Sequence, residues 1–312
     1  MAQILSTLFP VFMVLGIGYA LCRKGFLSRQ FLNELNRFVY YVALPALILH
    51  RLSTAPSLPL GVLRSVLIFL AATLFVMAVA YGVARILRLQ HWQYGTFMQA
   101  SFRGNLAFIG IPILVYAIRD KPPETASSIV TEAIFIFAPI MVLYNILSVL
   151  ALTASQEDGD RKSLLSAIKG IATNPLILAA FVGIILLLLP FPVPRAVSDT
   201  MEFLGRIAAP AALVCVGGAM AVVSMQGRYR SAFCAALLKT ALTPIVAYLF
   251  SLPFDLAPHT QLILMIFSAT PTAVASFVMA KELYGDDAMA SGGIVLSTLL
   301  SVISLAVVVG FF

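Results

Sequence analysis

Residues 103–112 read Arg-Gly-Asn-Leu-Ala-Phe-Ile-Gly-Ile-Pro, a polar and helix-breaking stretch inside a long apolar block at residues 94–118. Glycine weakens a helix, and proline removes a backbone donor and clashes with the preceding turn. A second stretch, Ser-Ala-Thr-Pro-Thr-Ala at residues 268–273, interrupts another apolar block at residues 260–281. Each interruption lies about eleven residues from the start of its block, so the sequence predicts two helices that are broken near their centres.

The composition places these broken helices in a membrane. Apolar residues make up 61% of the 312 residues and charged residues 11%, against about 45–50% and about 25% in soluble domains. So few charges cannot coat a soluble fold, which excludes a soluble enzyme, a disordered chain and a secreted disulfide scaffold. The three cysteines and three histidines show no metal-ligand spacing, and we expect neither a metal nor a cofactor.

Ten apolar blocks approach the length of about 20 residues that a helix needs to span a bilayer. They cover about residues 3–22, 37–51, 62–87, 94–118, 128–153, 171–190, 200–225, 231–252, 260–281 and 288–311. The second block is short, and we expect its helix to begin earlier, over Leu32 to Asn36. The sequence therefore predicts an all-α membrane protein with ten transmembrane helices and no soluble domain.

The basic residues predict the orientation of these helices. The odd-numbered loops carry twelve Lys and Arg, whereas the even-numbered loops and the termini carry six. Cytoplasmic loops are enriched in Lys and Arg, which places both termini outside, in the periplasm if the membrane is a bacterial inner membrane. The net charge of +7 thus reflects topology and contact with lipid, and we expect no nucleic-acid partner.

The two halves of the chain align at a constant offset of 165 residues. The aligned pairs are Pro10 and Pro175, Gly18 and Gly183, Pro45 and Pro210, and Asn105 and Thr270. This predicts a first five-helix repeat at 1–154, a cytoplasmic linker at 155–170 and a second five-helix repeat at 171–312. Because five is odd, the second repeat enters the membrane in the opposite sense, which is the inverted-repeat architecture of many secondary transporters.

Three stretches give the chain a specific resemblance: Asn36–Pro45, Gly104–Pro112 and Phe277–Asp286. The sequence resembles the auxin efflux carrier family, which joins plant auxin exporters to bacterial carriers of malonate or related carboxylates. The resemblance covers essentially the whole chain. It implies that helices 4 and 9 break and cross, that helices 1, 2, 6 and 7 form a scaffold and a homodimer, and that the protein is not an enzyme.

The resemblance also implies roles for residues at the breaks. Asn105 would bind a substrate carboxylate, and Pro271 would be the matching proline of the second break. The sequence departs from the plant pattern at Gly104, where plant members have proline, and at Ile48, where they have a polar residue. These departures leave a smaller acid than auxin open as substrate. The remaining crossover or hinge positions are Gly110, Pro112, Pro45 and Pro210.

Two basic residues, Arg103 and Lys239, remain inside predicted spans, where charge is costly and usually functional. Arg103 could bind a carboxylate through its planar fork, or else reach the interface or pair with an acid such as Glu132. Lys239 could attract the anion, act as a fixed cation in place of a coupling ion, or pair structurally with carbonyls. Glu132 is the candidate proton carrier or an interfacial residue. Sodium or proton coupling stays open.

Uncharged polar side chains inside the spans complete the predicted substrate site. Asn145 could line the pocket or hydrogen-bond to a neighbouring helix. Thr270, Thr272 and Ser276 could line the second break or bond back to helix carbonyls.

We expect a secondary transporter of small organic anions, such as malonate or auxin-like acids, that works by alternating access with an elevator-type motion. One alternative is a ten-span carrier of the drug/metabolite type, which has both termini inside. Another is a membrane sensor that binds without transport. A membrane enzyme would need clustered acids or a histidine base at the membrane face, and the sequence shows neither.

Overall fold

The computed structural model describes residues 2–55, 61–156, 173–189, 193–222 and 228–312, with side chains from Ser6 onward. Nearly all of these residues are helical. The α-helices are α1 (Ala2–Arg23), α2 (Arg29–Phe38), α3 (Leu44–Ser53), α4 (Val62–Ile86), α5 (His91–Phe102), α6 (Ile111–Ala117), α7 (Pro123–Ala154), α8 (Pro175–Leu188), α9 (Arg195–Gly205), α10 (Ala208–Val222), α11 (Tyr229–Leu237), α12 (Thr243–Ser251), α13 (Pro258–Ala269), α14 (Ala275–Glu282) and α15 (Asp287–Phe311). Apart from residues 155 and 156, the predicted linker lies outside the described residues.

Within the described ranges, six helices are long and apolar enough to cross a membrane. They are Ser6–Arg23, Val62–Ile86, Pro123–Ala154, Arg195–Val222, Tyr229–Phe254 and Asp287–Phe311. The prediction of an all-α membrane protein is thus confirmed. All ten predicted apolar blocks contain helix, and the second does begin early, at Arg29. The ten-span inverted repeat itself stays a prediction.

In the part of the chain that the structure describes, three helical units contain a five-residue π-helical turn that ends two residues before a proline. The turns are Val39–Ala43, Leu106–Gly110 and Leu238–Leu242, and the prolines are Pro45, Pro112 and Pro244. In a regular α-helix the proline ring collides with the carbonyl four residues earlier. A π turn adds one residue to the hydrogen-bonded loop and gives the ring space, so each unit continues past its proline without ending.

The aligned prolines Pro45 and Pro210 interrupt their units in different ways. Pro45 follows the π turn that joins α2 to α3. Pro210 lies in the first turn of α10, just after the two-residue gap at Arg206 and Ile207 that separates α9 from α10. Both aligned positions therefore mark a change in the helix, although their hinge role stays a prediction.

The helices pack as two groups. In the scaffold group, α1 and α2 pack against α10, and α3 packs against α8 and α9. In the core group, α4 packs against α5, α7 and α12, whereas α11 packs against α5 and α15. The groups meet where α1 contacts α6 and α15 and where α3 contacts α7. This arrangement buries the interrupted helices of the core group between longer ones.

The aligned glycines Gly18 and Gly183 both lie at close approaches between helices of the scaffold group. A Cβ atom on Gly18 would lie 2.9 Å from the Cα atom of Val214 in α10, and one on Gly183 would lie 2.8 Å from the Cβ atom of Leu52 in α3. Small residues let membrane helices approach closely when no hydrophobic effect drives them together. The same position in each half is thus used for the same kind of contact.

We predict that Gly18→Ala lowers the midpoint of thermal unfolding of the purified protein. The added methyl group would collide with backbone atoms of α10, and such overpacking typically costs about 1–3 kcal/mol. Gly16→Ala is the matched control, because nothing lies within 4 Å of its added Cβ atom. The control should keep or raise the midpoint, and equal midpoints for the two variants would contradict the assigned contact.

Candidate functional site

The two predicted helix breaks lie against each other. The chain is not helical between α5 and the π turn at Leu106, nor in most of the gap between α13 and α14. The backbone nitrogen of Asn105 donates to the carbonyl of Pro271 at 2.7 Å, and that of Ala273 donates to the carbonyl of Arg103 at 2.9 Å. Each break therefore satisfies backbone groups of the other, which the interior of a membrane requires.

Gly104 forms an antiparallel β-bridge with Thr272 between these two bonds. A Cβ atom at position 104 would lie 2.5 Å from the Oγ1 atom of Thr270 and 3.2 Å from the Cε atom of Lys239. A side chain at this position would displace Thr270 or Lys239, so the close approach of the two breaks favours glycine here. The same distances place Lys239 directly beside the paired breaks.

The two threonines of the second break bond to backbone. Thr270 donates from Oγ1 to the carbonyl of Phe267 at 2.7 Å, and Thr272 donates from Oγ1 to the carbonyl of Ala100 in α5 at 2.7 Å. Ser276, the second residue of α14, is buried and its hydroxyl has no partner among the described residues. The threonines thus hold the break in shape, and their proposed contact with substrate is untested.

Arg103 ends α5 at the first break and is only 6% exposed. Its guanidinium donates from Nη2 to the Oδ1 atom of Asn145 at 2.7 Å and from Nη1 to the Oγ atom of Ser148 at 3.1 Å. Nη1 also contacts the sulfur of Met279 in α14. All three partners are neutral, so the arginine is held in place while its charge remains uncompensated.

Ser148 and Met279 are the residues that the sequence reasoning missed. Ser148 lies three residues after Asn145 on α7, and residues with this spacing share one face of a helix. That spacing could have identified Ser148 once Asn145 was chosen. Met279 could not be identified from the sequence. It is an apolar residue, and only the fold brings α14 close to Arg103.

Lys239 lies in the π turn between α11 and α12 and is fully buried. Its ammonium group donates to the backbone carbonyl of Ser268 at 2.5 Å. Ser268 is the penultimate residue of α13, so the lysine binds the carboxyl end of the half-helix that leads into the second break.

Glu132, on α7, is 5% exposed and forms its contacts elsewhere. Its Oε2 atom lies 3.1 Å from the Nε2 atom of His259, and its Oε1 atom accepts a 2.5 Å hydrogen bond from Thr260. His259 also lines a cavity of about 200 Å³ together with Lys121. Glu132 is thus buried against His259 and Thr260 and is not the partner of Arg103, and its roles as proton carrier or interfacial residue both stay predictions.

Asp286, a second buried acid, also has its own partners. Asp286 accepts a hydrogen bond from Gln93 at 2.7 Å, forms an ion pair with Arg228 at 3.0 Å, and caps α15 through the nitrogen of Met289 at 2.9 Å. Among the residues that the structure describes, neither Arg103 nor Lys239 forms an ion pair. Two buried cations therefore flank the paired breaks without an acidic partner.

The backbone of Asn105 is hydrogen-bonded, whereas its side-chain nitrogen is not. Its carbonyl accepts from the nitrogens of Ile109 at 3.2 Å and Gly110 at 3.1 Å, which starts the π turn. Its side-chain nitrogen is buried and has no hydrogen-bond partner among the described residues. Asn145, by contrast, is bound to Arg103. Asn145 holds Arg103 through its acceptor oxygen, whereas the buried donor of Asn105 is available for a ligand.

The remaining predicted positions surround this centre. Ile48 is fully buried in the apolar core and offers no polar atom. Gly110 closes the first π turn, where a Cβ atom would lie 3.0 Å from the ring of Phe267. Pro112 follows it in the first turn of α6. No direct role in binding is tested for any of them.

Comparison with known proteins adds independent information. Residues 3–309 match the family described as "Membrane transport protein". A Rhizobium meliloti (strain 1021) protein named "Putative malonate transporter" is 26% identical over 307 residues, which cover 97% of this chain and 93% of that protein. An uncharacterized transporter of Methanocaldococcus jannaschii is 22% identical over 296 residues, which cover 93% of this chain and 92% of that protein.

The family match spans nearly the whole chain, and both relatives align over almost their full length. The apolar helices agree with this result, since they make the chain an integral membrane protein. The protein is therefore a transport protein and not an enzyme, and it belongs to the membrane transport protein family, the auxin efflux carrier family that its sequence resembles.

Proposed function

We propose that the protein is a secondary transporter of small organic anions, namely mono- or dicarboxylates such as malonate, and that it works by alternating access. The observation that carries this proposal is the pair of buried cations, Arg103 and Lys239, beside the paired breaks without an acidic partner. An ionised group inside a membrane protein is costly unless it is paired. A bound carboxylate would supply the missing negative charge.

The free amide of Asn105 supports the same ligand. Its side-chain nitrogen is a buried donor without a partner, and a carboxylate offers acceptor oxygens only. The first turn of α14, with the free hydroxyl of Ser276, follows the second break. Helix amino termini carry partial positive charge and favour anions. A donor, two cations and a half-helix terminus thus belong to one small region.

The burial of this region supports alternating access. Arg103, Asn105 and Lys239 are at most 6% exposed, so water and substrate reach them only when the helices move. The division into a scaffold group and a core group suggests how they move, because the breaks and both cations belong to the core group. We propose an elevator-type motion in which the core group slides past the scaffold group and carries the anion.

The packing pattern supports the inverted repeat of two five-helix halves. At the offset of 165 residues, α1 is equivalent to α8, and α3 is equivalent to α10. The contact of α1 with α10 in the structure thus has its counterpart in the contact of α8 with α3. The contact of α5 with α7 likewise corresponds to that of α13 with α15. Such an exchange of equivalent contacts is what lets an inverted-repeat transporter reach two similar states.

The proposed substrate and assembly draw on relatives and on the family resemblance. Malonate is taken from the printed name of the Rhizobium meliloti relative, and auxin-like acids come from the family resemblance. The resemblance is also the support for a homodimer through the scaffold group. The location in a bacterial inner membrane with both termini outside rests on the distribution of Lys and Arg in the sequence.

We predict that Asn105→Ala lowers the affinity of the purified protein for malonate by about 10–100-fold, because a hydrogen bond to a charged group contributes about 1.5–3 kcal/mol. Isothermal titration measures the affinity. Asn174→Ala is the matched control, since Asn174 caps α8 through the nitrogens of Leu176 and Ile177. The control should lose stability and keep its affinity. Unchanged malonate binding in Asn105→Ala would remove the first break from the site.

We predict that Arg103→Gln weakens the uptake of malonate into liposomes at least tenfold and alters the uptake of its neutral diamide far less. The substitution removes a positive charge that we assign to the carboxylate. Ser148→Ala retains the charge and removes one of the contacts of Arg103, so it should reduce malonate uptake only slightly. An equal loss for the acid and the diamide would show that Arg103 is purely structural.

We predict that a reporter enzyme active only outside the cytoplasm is active when fused after Phe312. A fluorescent protein that folds only in the cytoplasm should remain dark at the same position. This orientation follows from the excess of Lys and Arg in the odd-numbered loops. A bright cytoplasmic fusion would favour the drug/metabolite type of carrier, in which both termini lie inside.

A further inference from the structure

We propose that Gln99 and Arg103 form a subsite for the second carboxylate of a dicarboxylate, and that the sulfur of Met279 takes the place of that carboxylate while the site is empty. This inference rests on the proposed function and narrows its substrate to short diacids. It adds Gln99 to the residues that contact the anion and makes the side chain of Met279 a displaceable cover of the subsite.

The first observation is that two donors converge on one acceptor. The Nε2 atom of Gln99 donates to the sulfur of Met279 at 3.7 Å, and the Nη1 atom of Arg103 donates to the same sulfur. Gln99 lies four residues before Arg103, which ends α5, and residues with this spacing are neighbours on a helix surface. The end of α5 thus directs an amide and a guanidinium at a single point on α14.

The acceptor at this point is a poor one. A thioether sulfur is a weak acceptor, whereas a carboxylate offers two oxygens and forms charge-assisted bonds with a guanidinium. Gln99 is fully buried and Arg103 is only 6% exposed, so bulk water does not replace the sulfur. A carboxylate oxygen at the position of the sulfur would therefore satisfy both donors better than Met279 does.

Polar atoms next to the sulfur also lack partners. The Oε1 atom of Gln99 and the hydroxyl of Ser276 are buried, and neither has a hydrogen bond among the described residues. Ser276 lies three residues before Met279 on α14, and this spacing places both on one face of the helix. The sulfur is the only partner found for the Gln99 side chain in the described ranges, so the amide can turn towards a ligand.

The side chain of Met279 is suited to leaving this position. Methionine is unbranched, has three rotatable bonds and adapts to different surroundings. Met279 is only partly buried, whereas Gln99 and Ser276 are buried. The methionine therefore lies between the buried donors and the surface, and its side chain can swing outward when a carboxylate arrives.

The position of the subsite fits a short diacid. Arg103 and Asn105 are separated by Gly104 alone, so their Cα atoms are at most about 7 Å apart. Asn105 has its own buried donor without a partner in the described part of the chain. The two carboxylates of malonate are attached to one carbon atom, so Asn105 can bind one of them while Arg103 and Gln99 bind the other. A monoacid fills only one of these positions.

The first test compares two acids of the same carbon number on the purified full chain. Propionate has a methyl group where malonate has its second carboxylate. We expect isothermal titration to show malonate binding about tenfold tighter or more, which corresponds to about 1.4 kcal/mol. Equal affinities would overturn the inference and leave the transport of small organic anions intact. If neither acid is bound or taken up into liposomes, the proposed function fails and the inference fails with it.

A second test removes the proposed amide donor. Gln99→Leu retains much of the side-chain volume, and we expect it to lower the affinity for malonate about fivefold or more, because a bond to a charged group is lost. Gln261→Leu is the matched control, since Gln261 donates to Ser251 at 2.7 Å, and its affinity should be unchanged. Unchanged malonate binding in Gln99→Leu would overturn the inference.

The third test substitutes the sulfur itself in two opposite ways. Met279→Leu removes the acceptor, so the donors of the empty site have no partner, and we expect the affinity for malonate to rise about threefold or more. Met279→Gln supplies an oxygen acceptor that competes with the ligand, and its affinity should fall. If Met279 only packs against α5, the two substitutions should change the affinity alike, which would overturn the inference. Exchange of methionine for leucine is usually well tolerated, so this test remains if Gln99→Leu does not fold.

Discussion

The structure depends on the backbone pairing between the two broken helices. The hydrogen bonds from Asn105 to Pro271 and from Ala273 to Arg103 join the breaks directly. In a hydrocarbon environment, each unsatisfied backbone group costs several kcal/mol. Either break alone would leave unpaired backbone groups at the centre of an apolar helix. Together, the two breaks pair these groups with each other.

Some side chains around the paired breaks bond to the backbone and stabilise it, whereas others keep unpaired donors or charges. Thr270 and Thr272 bond to backbone carbonyls and keep the second break rigid. Arg103 is fixed by neutral partners, so its orientation is set without neutralising its charge. Asn105 retains an unpaired donor. Among the described residues, the paired breaks thus leave one amide donor without a partner and two cations without an acidic partner.

The sequence predicted the two breaks because glycine, proline and polar residues are conspicuous inside apolar blocks. It could not show from the residues that the breaks pair, since the partners are separated by more than 160 residues and only the fold brings them together. The π turns were also hidden, because one extra residue hardly changes an apolar pattern. The partner of Lys239 is a backbone carbonyl, and no side-chain motif marks where α13 ends. Asn145 was identified as a polar residue inside the membrane, but the bond that it forms with Arg103 depends on helix packing.

The distance along the chain between the paired breaks has a consequence for how the protein is made. The partners of the Asn105 nitrogen and the Arg103 carbonyl are Pro271 and Ala273, which are synthesised much later. Ribosomes add about 5–20 residues per second, so roughly 10–30 s pass before the second break exists. During that time the first break carries bare polar backbone and must be sheltered by water or by the insertion machinery. The first half of the protein therefore cannot complete its backbone hydrogen bonding until the second half has been synthesised.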